Sequence, residues 1–96
     1  MAATAGRAGT GTVDTTGSDI LGLSDGVAAV SVRCLSTSSD SLLVNIPSIH
    51  GSSYMLLEAG QSEWFRAGND IITTVNAKAS ASTATLSWGS QRYSNG

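Results

Sequence analysis

One cysteine in 96 residues excludes an internal disulfide framework and any zinc site built on several thiolates. One histidine leaves no second imidazole for most His-based metal sites. Five Lys and Arg residues are spread over the whole chain, so no basic stripe exists that would track a phosphate backbone. With a formal net charge of −2, neither nucleic acid nor an anionic membrane is an expected partner. No run approaches the ~18–20 apolar residues of a membrane-spanning helix. Glu, Lys and Leu are too few for a coiled coil. The N-terminus lacks the charged and apolar regions of a signal peptide, so export is not expected. Ala2 stands where N-myristoylation needs glycine. The lone Cys34 fits a reducing compartment.

Small polar residues fill the space these absences leave. Ser and Thr occupy 26 positions and Gly another 11, against 12% charged residues. After Met1, the first eighteen residues carry a single large apolar side chain, Val13. Such a stretch has little apolar area to offset backbone ordering. Residues 1–18 are therefore expected to be a flexible N-terminal arm, ordered only against a partner, ahead of a domain over residues 19–96.

From Ile20 the texture changes. Ile20, Leu21 and Leu23 form an apolar cluster closed by the turn signal Ser24-Asp25-Gly26. Residues 27–35 read as a strand, with Val30, Val32 and Cys34 on one face and Ser31 and Arg33 on the other. Residues 42–46 follow, with Leu42, Val44 and Ile46 inward and Asn45 outward. Pro47 ends that run because it has no N–H for a ladder. Residues 54–58 and 62–66 flank a tight reversal at Ala59-Gly60-Gln61. Ala67-Gly68-Asn69-Asp70 is another turn. Residues 71–77 alternate, with Ile71, Thr73, Val75 and Ala77 on one face. Residues 83–88 place Ala84, Leu86 and Trp88 together, and the tail from Gly89 is polar apart from Tyr93. Short strands at 8–12-residue spacing, bounded by Gly, Ser, Asn or Asp, predict an all-β protein. The expected architecture is a small antiparallel β-sandwich, jelly-roll or Ig-like, of six to seven strands with essentially no helix.

The pattern names no catalytic, cofactor-binding or metal-binding residue. His50 is the only imidazole base and lies in a loop without a nucleophile elbow. Glu58 and Glu63 bracket an exposed hairpin, where paired carboxylates have no cleft to work in. Asp19, Asp25, Asn69 and Asp70 are too sparse for a calcium site. Gly6, Gly9 and Gly11 lack the Lys-Ser/Thr of a phosphate-binding loop. Cys34 reads as a buried, inert thiol. Trp64 and Phe65 are adjacent, so on a strand they point oppositely, and one of them must leave the core face. That makes Tyr54, Trp64, Phe65 and Arg66 the candidate interface. A thin core and this misfit predict a homo-oligomer, a trimer before a dimer.

Four stretches also carry a resemblance. Leu42-Leu43-Val44-Asn45-Ile46-Pro47-Ser48-Ile49-His50-Gly51, then Leu57-Glu58-Ala59-Gly60-Gln61-Ser62-Glu63-Trp64-Phe65-Arg66, then residues 71–78 and 83–89, are similar to small β-sandwich accessory proteins of tailed-phage virions. These include capsid decoration, or cement, proteins and terminal modules of tail fibres. The resemblance implies a non-enzymatic protein, made in the host cytoplasm and carried on the virion. It implies a symmetric oligomer that binds the major capsid protein on the outer capsid surface and stiffens it. The alternative is a tail-fibre-like module that binds a carbohydrate or receptor, with Tyr54, Trp64 or Tyr93 stacked on sugar rings.

Overall fold

A computed structural model describes residues 3–20, 26–66 and 71–93. Residues 24–25 of the turn expected at 24–26, the turn expected at 67–70, and Leu21 and Leu23 lie outside the described residues, as do the side chains of residues 3–7, Arg92 and Tyr93. Among these residues eight strands are seen: β1 (Ala3–Asp14), β2 (Ser18–Asp19), β3 (Ala29–Cys34), β4 (Leu42–Asn45), β5 (Met55–Leu57), β6 (Ser62–Arg66), β7 (Asn76–Ala79) and β8 (Thr83–Tyr93). One helical turn, α1 (Pro47–His50), separates β4 from β5.

The strands form two antiparallel sheets, in the orders β1-β8-β3-β6 and β2-β7-β4-β5. The pairing is nested: β1 with β8, β2 with β7, β3 with β6, β4 with β5. It is the pattern of one long hairpin folded back on itself, and β8–β3 and β7–β4 contacts complete the sheets. Two Greek keys closed in this way make a jelly roll. An immunoglobulin sandwich would group its strands differently.

The core follows from alternation. Val30, Val32 and Cys34 of β3 meet Leu86 and Ala84 of β8 on the inner face of the first sheet. Leu42, Val44, Ile46, Leu57, Val75, Ala77 and Ala79 face them from the second. Val30, Val32, Val44, Ile46, Val75 and Leu86 are buried as expected, and Trp88 packs against the core while staying partly exposed. Trp88 lies beside Gly9, where an added Cβ would fall 2.8 Å from the indole Nε1.

Four expectations need correction. Residues 3–14 are a strand along the edge of the first sheet, with Val13 buried, so no boundary after residue 18 separates a free arm from a domain. β8 continues to Tyr93, because the polar tail has β1 on one side and β3 on the other to satisfy its backbone. The alternation over 71–77 is broken: Ile72 bridges to Val27 and is buried while Ile71 is exposed, and the phase changes before Val75. Asn45 points away from the core, yet is only 4% exposed, because the loop after it folds over its side chain.

The two ends of the sandwich are closed by side chains. At one end Asn45 Nδ2 donates to the carbonyls of Gly51 (2.9 Å) and Ser53 (2.6 Å), and Asn76 Nδ2 donates to Asn45 Oδ1 (3.1 Å). The Ile46 N–H donates to His50 Nδ1 (3.1 Å), and the His50 ring meets Phe65 edge-on at 5.4 Å. His50 is thereby engaged in shaping the loop.

At the other end Asp40, in the β3–β4 loop, accepts from Ser82 N (2.7 Å), Ser82 Oγ (2.9 Å) and Thr83 N (2.9 Å). It ties the β3–β4 crossover to the β7–β8 crossover. The Ser82 N–H bond, then the Ser82 hydroxyl, then the Thr83 N–H hold its carboxyl below the ordinary value of 3.8. A carboxylate depressed in the folded state stabilises above its unfolded pKa, and that contribution disappears as pH falls through the folded value. The melting-temperature gap between the wild type and Asp40→Asn should therefore be full above about pH 5 and shrink below about pH 4. Thermal melts across that range check it; a gap unchanged under acid refutes the clamp.

Candidate functional site

In an antiparallel sandwich the outward side chains alternate with the core and are expected to be polar. Among the described residues Ile49, Met55 and Ile71 are exposed, and on the outer faces of the strands two sites depart from this, one on each sheet.

On the second sheet, Leu43 of β4 lies between Lys78 of β7 and Leu56 of β5 in register. Leu42 and Leu57, one residue along, face the core, so Leu43 and Leu56 point out. Leu56 is 51% exposed. Tyr54, two residues before Leu56, shares that face and is 43% exposed. The Lys78 ammonium sits 4.3 Å from the Tyr54 ring centroid, a cation–π pair that leaves both at the surface. The result is an outward patch of Leu43, Tyr54 and Leu56 with one positive charge at its side.

On the first sheet, Trp64 of β6 is opposite Ser31 of β3, and Ser31 is opposite Gly89 of β8. Phe65 is opposite Val30 and is buried at 5%, whereas Trp64 is 50% exposed. The Arg66 guanidinium lies 5.8 Å from the Trp64 ring centroid. Trp64 thus stands on a flat neighbourhood of small side chains, with a guanidinium beside it.

The four expected interface residues are therefore not one surface. Tyr54 belongs to the second sheet, Trp64 and Arg66 to the first, and Phe65 lies between the sheets. Phe65 is removed from the candidate interface because the strand that exposes Trp64 must bury its neighbour. Leu43 and Leu56 were missed, although the doublets Leu42-Leu43 and Leu56-Leu57 carry the same signal as Trp64-Phe65.

The remaining polar residues do structural work or stand apart. The Cys34 thiol is fully buried and donates weakly to the Asp40 carbonyl at 3.6 Å. Glu58 and Glu63 are both exposed. The reversal between β5 and β6 is closed by Gln61, whose Oε1 accepts from Glu58 N and whose N–H donates to the Glu58 carbonyl. Gly60 takes φ +89° there, a conformation that strains other residues. Among the described residues no three His, Cys, Asp or Glu side chains come together.

Comparison of the chain with protein-family models, with curated proteins and with solved structures gives no match. The fold and its two outward patches define the class: a small jelly-roll module with apolar groups on otherwise polar outer faces.

Proposed function

We propose that this protein is a non-enzymatic structural module of a tailed-phage virion, docking on the outer surface of the capsid and stabilising it. One observation carries the reading: Leu43, Tyr54 and Leu56 stand together on the solvent side of the second sheet. Contiguous exposed apolar groups rimmed by polar ones mark protein contact surfaces. The jelly roll itself recurs in viral capsid and lectin domains, which raises the reading by analogy of fold alone.

Cosedimentation with purified tailed-phage capsids tests it. The wild type should pellet with capsids and raise their melting temperature. Leu56→Glu, at an exposed position, should fold normally yet bind at least about tenfold more weakly, as loss of a central contact residue does. Failure of the wild type to bind, or unchanged binding by Leu56→Glu, overturns the proposal.

A second reading is favoured by the Trp64 surface. An exposed indole beside Arg66, with Ser31 and Gly89 leaving space, suits stacking of a sugar ring and hydrogen bonding to its hydroxyls. On a glycan array, binding abolished by Trp64→Ala and unaffected by Leu56→Glu would select this carbohydrate-binding role instead.

A further inference from the structure

We infer that β1 is a dimerisation edge, on which a second copy of this chain pairs its own β1 antiparallel across a twofold axis. The eight strands of the two first sheets would then form one continuous sheet, in the order β6-β3-β8-β1 followed by β1-β8-β3-β6 of the partner.

The four edges of the sandwich differ in how they are guarded. β2 is two residues long and β5 three. β6 is five residues long and carries Glu63 and Arg66. Short edges and charged edges resist pairing with another chain. β1 has twelve residues, without proline. In its N-terminal part the pairing with β8 is interrupted by a register break between Ala5 and Ala8. From Ala8 to Asp14 the pairing with β8 is uninterrupted, and no charge occurs before Asp14. Among the described residues no strand lies on the far side of this stretch. Alternate N–H and C=O groups there face outward, a ready template for one more strand.

Gly11 is compatible with such pairing. A glycine inside a strand weakens it relative to alanine. Gly9 repays that by admitting Trp88. Gly11 has no such role in the monomer: a Cβ there would meet nothing within 4 Å, and its φ is not positive. At the axis of a β1–β1 pair, Gly11 would leave no side chains on the directly opposed residues to crowd one another.

Gly11 is also the midpoint of the unguarded stretch. A twofold axis beside it sets Thr10 against Thr12 of the partner and Gly9 against Val13 of the partner. Thr–Thr pairs are favourable cross-strand neighbours, and a valine can lie over a glycine without a clash. Antiparallel pairing makes the interface isologous, which closes the assembly at two and leaves no further free edge of this length. In the order of strands β1 lies at the side away from β5 and β6, so pairing leaves Tyr54, Leu56 and Trp64 uncovered. The inference does not depend on capsid binding.

Light scattering coupled to gel filtration reads the outcome. The wild type at about 100 μM should have twice the 9.7 kDa mass of the chain and dissociate on dilution. Thr10→Lys with Thr12→Lys places like charges opposite one another across the axis, at positions exposed in the monomer, and should give a folded monomer. Thr10→Glu with Thr12→Glu should do the same, and an equimolar mixture of the two variants should restore the dimer. In the wild type, amides 8–14 should exchange more slowly at high than at low protein concentration. A wild type that stays at 9.7 kDa, a Lys variant that remains dimeric, a mixture that does not pair, or exchange independent of concentration overturns the inference. Capsid cosedimentation can fail with the dimer intact, and the dimer can fail with cosedimentation intact.

Discussion

Deletion of residues 2–14 should abolish cooperative folding. β1 runs the length of β8 in register from Ala8 opposite Gly89 to Asp14 opposite Thr83. Twelve residues at about 3.3 Å each reach ~40 Å, comparable with the 43 Å long axis of the molecule. Removing the strand takes Val13 out of the core, leaves β8 as an open edge and uncovers Ala84 and Leu86. It also removes Gly9 from the face of Trp88. A domain of this size commonly holds only about 5–15 kcal/mol in total, and an eleven-residue strand stripped of one partner loses a large share of it. Circular dichroism of the deleted chain should show no sigmoidal melt. A melt close to that of the full chain would restore the flexible arm that the composition of residues 1–18 predicts.

Leu86→Ala is the point substitution with the largest expected effect. Leu86 is 1% exposed, opposite Cys34 on β3 and Gly11 on β1, at the middle of the inner face. Emptying such a site costs ~2–5 kcal/mol, the spread depending on how far the neighbours collapse. For a domain of this length that corresponds to a fall in melting temperature of roughly 10–30 °C. Urea titration measures it directly. A loss under about 0.5 kcal/mol would place Leu86 outside the core. The same truncation at the outward Leu56 should stay within about 0.5 kcal/mol, since surface changes rarely do more. The pair of measurements separates the residues that hold the fold from those held out for a partner.

Much of the sandwich was legible in the chain. Period-2 alternation over 30–34, 42–46 and 83–88 placed Val30, Val32, Leu42, Val44, Ile46 and Leu86 inward, because a pleated strand leaves no other arrangement of such residues. Adjacent Trp64 and Phe65 required one exposed aromatic for the same reason, and the doublets Leu42-Leu43 and Leu56-Leu57 hold the remaining outward leucines. The candidate surface was therefore half visible: its members carried a signal, but their separation onto two faces did not.

What the tertiary structure alone decided is where backbone hydrogen bonds, not side chains, make the contact. β1 has almost no apolar pattern to read, and it is a strand because β8 offers it a ladder of donors and acceptors. β8 outlasts its hydrophobic run for the same reason, with a partner on each side. Asn45 is buried by a loop whose carbonyls it satisfies, a closure that no alternation encodes. The nested pairing that makes the fold a jelly roll depends on which crossover meets which, as Asp40 shows by joining residues more than forty positions apart. Alternation is local and belongs to the sequence; strand order and edge exposure are set by long-range pairing, and they exist only in the folded chain.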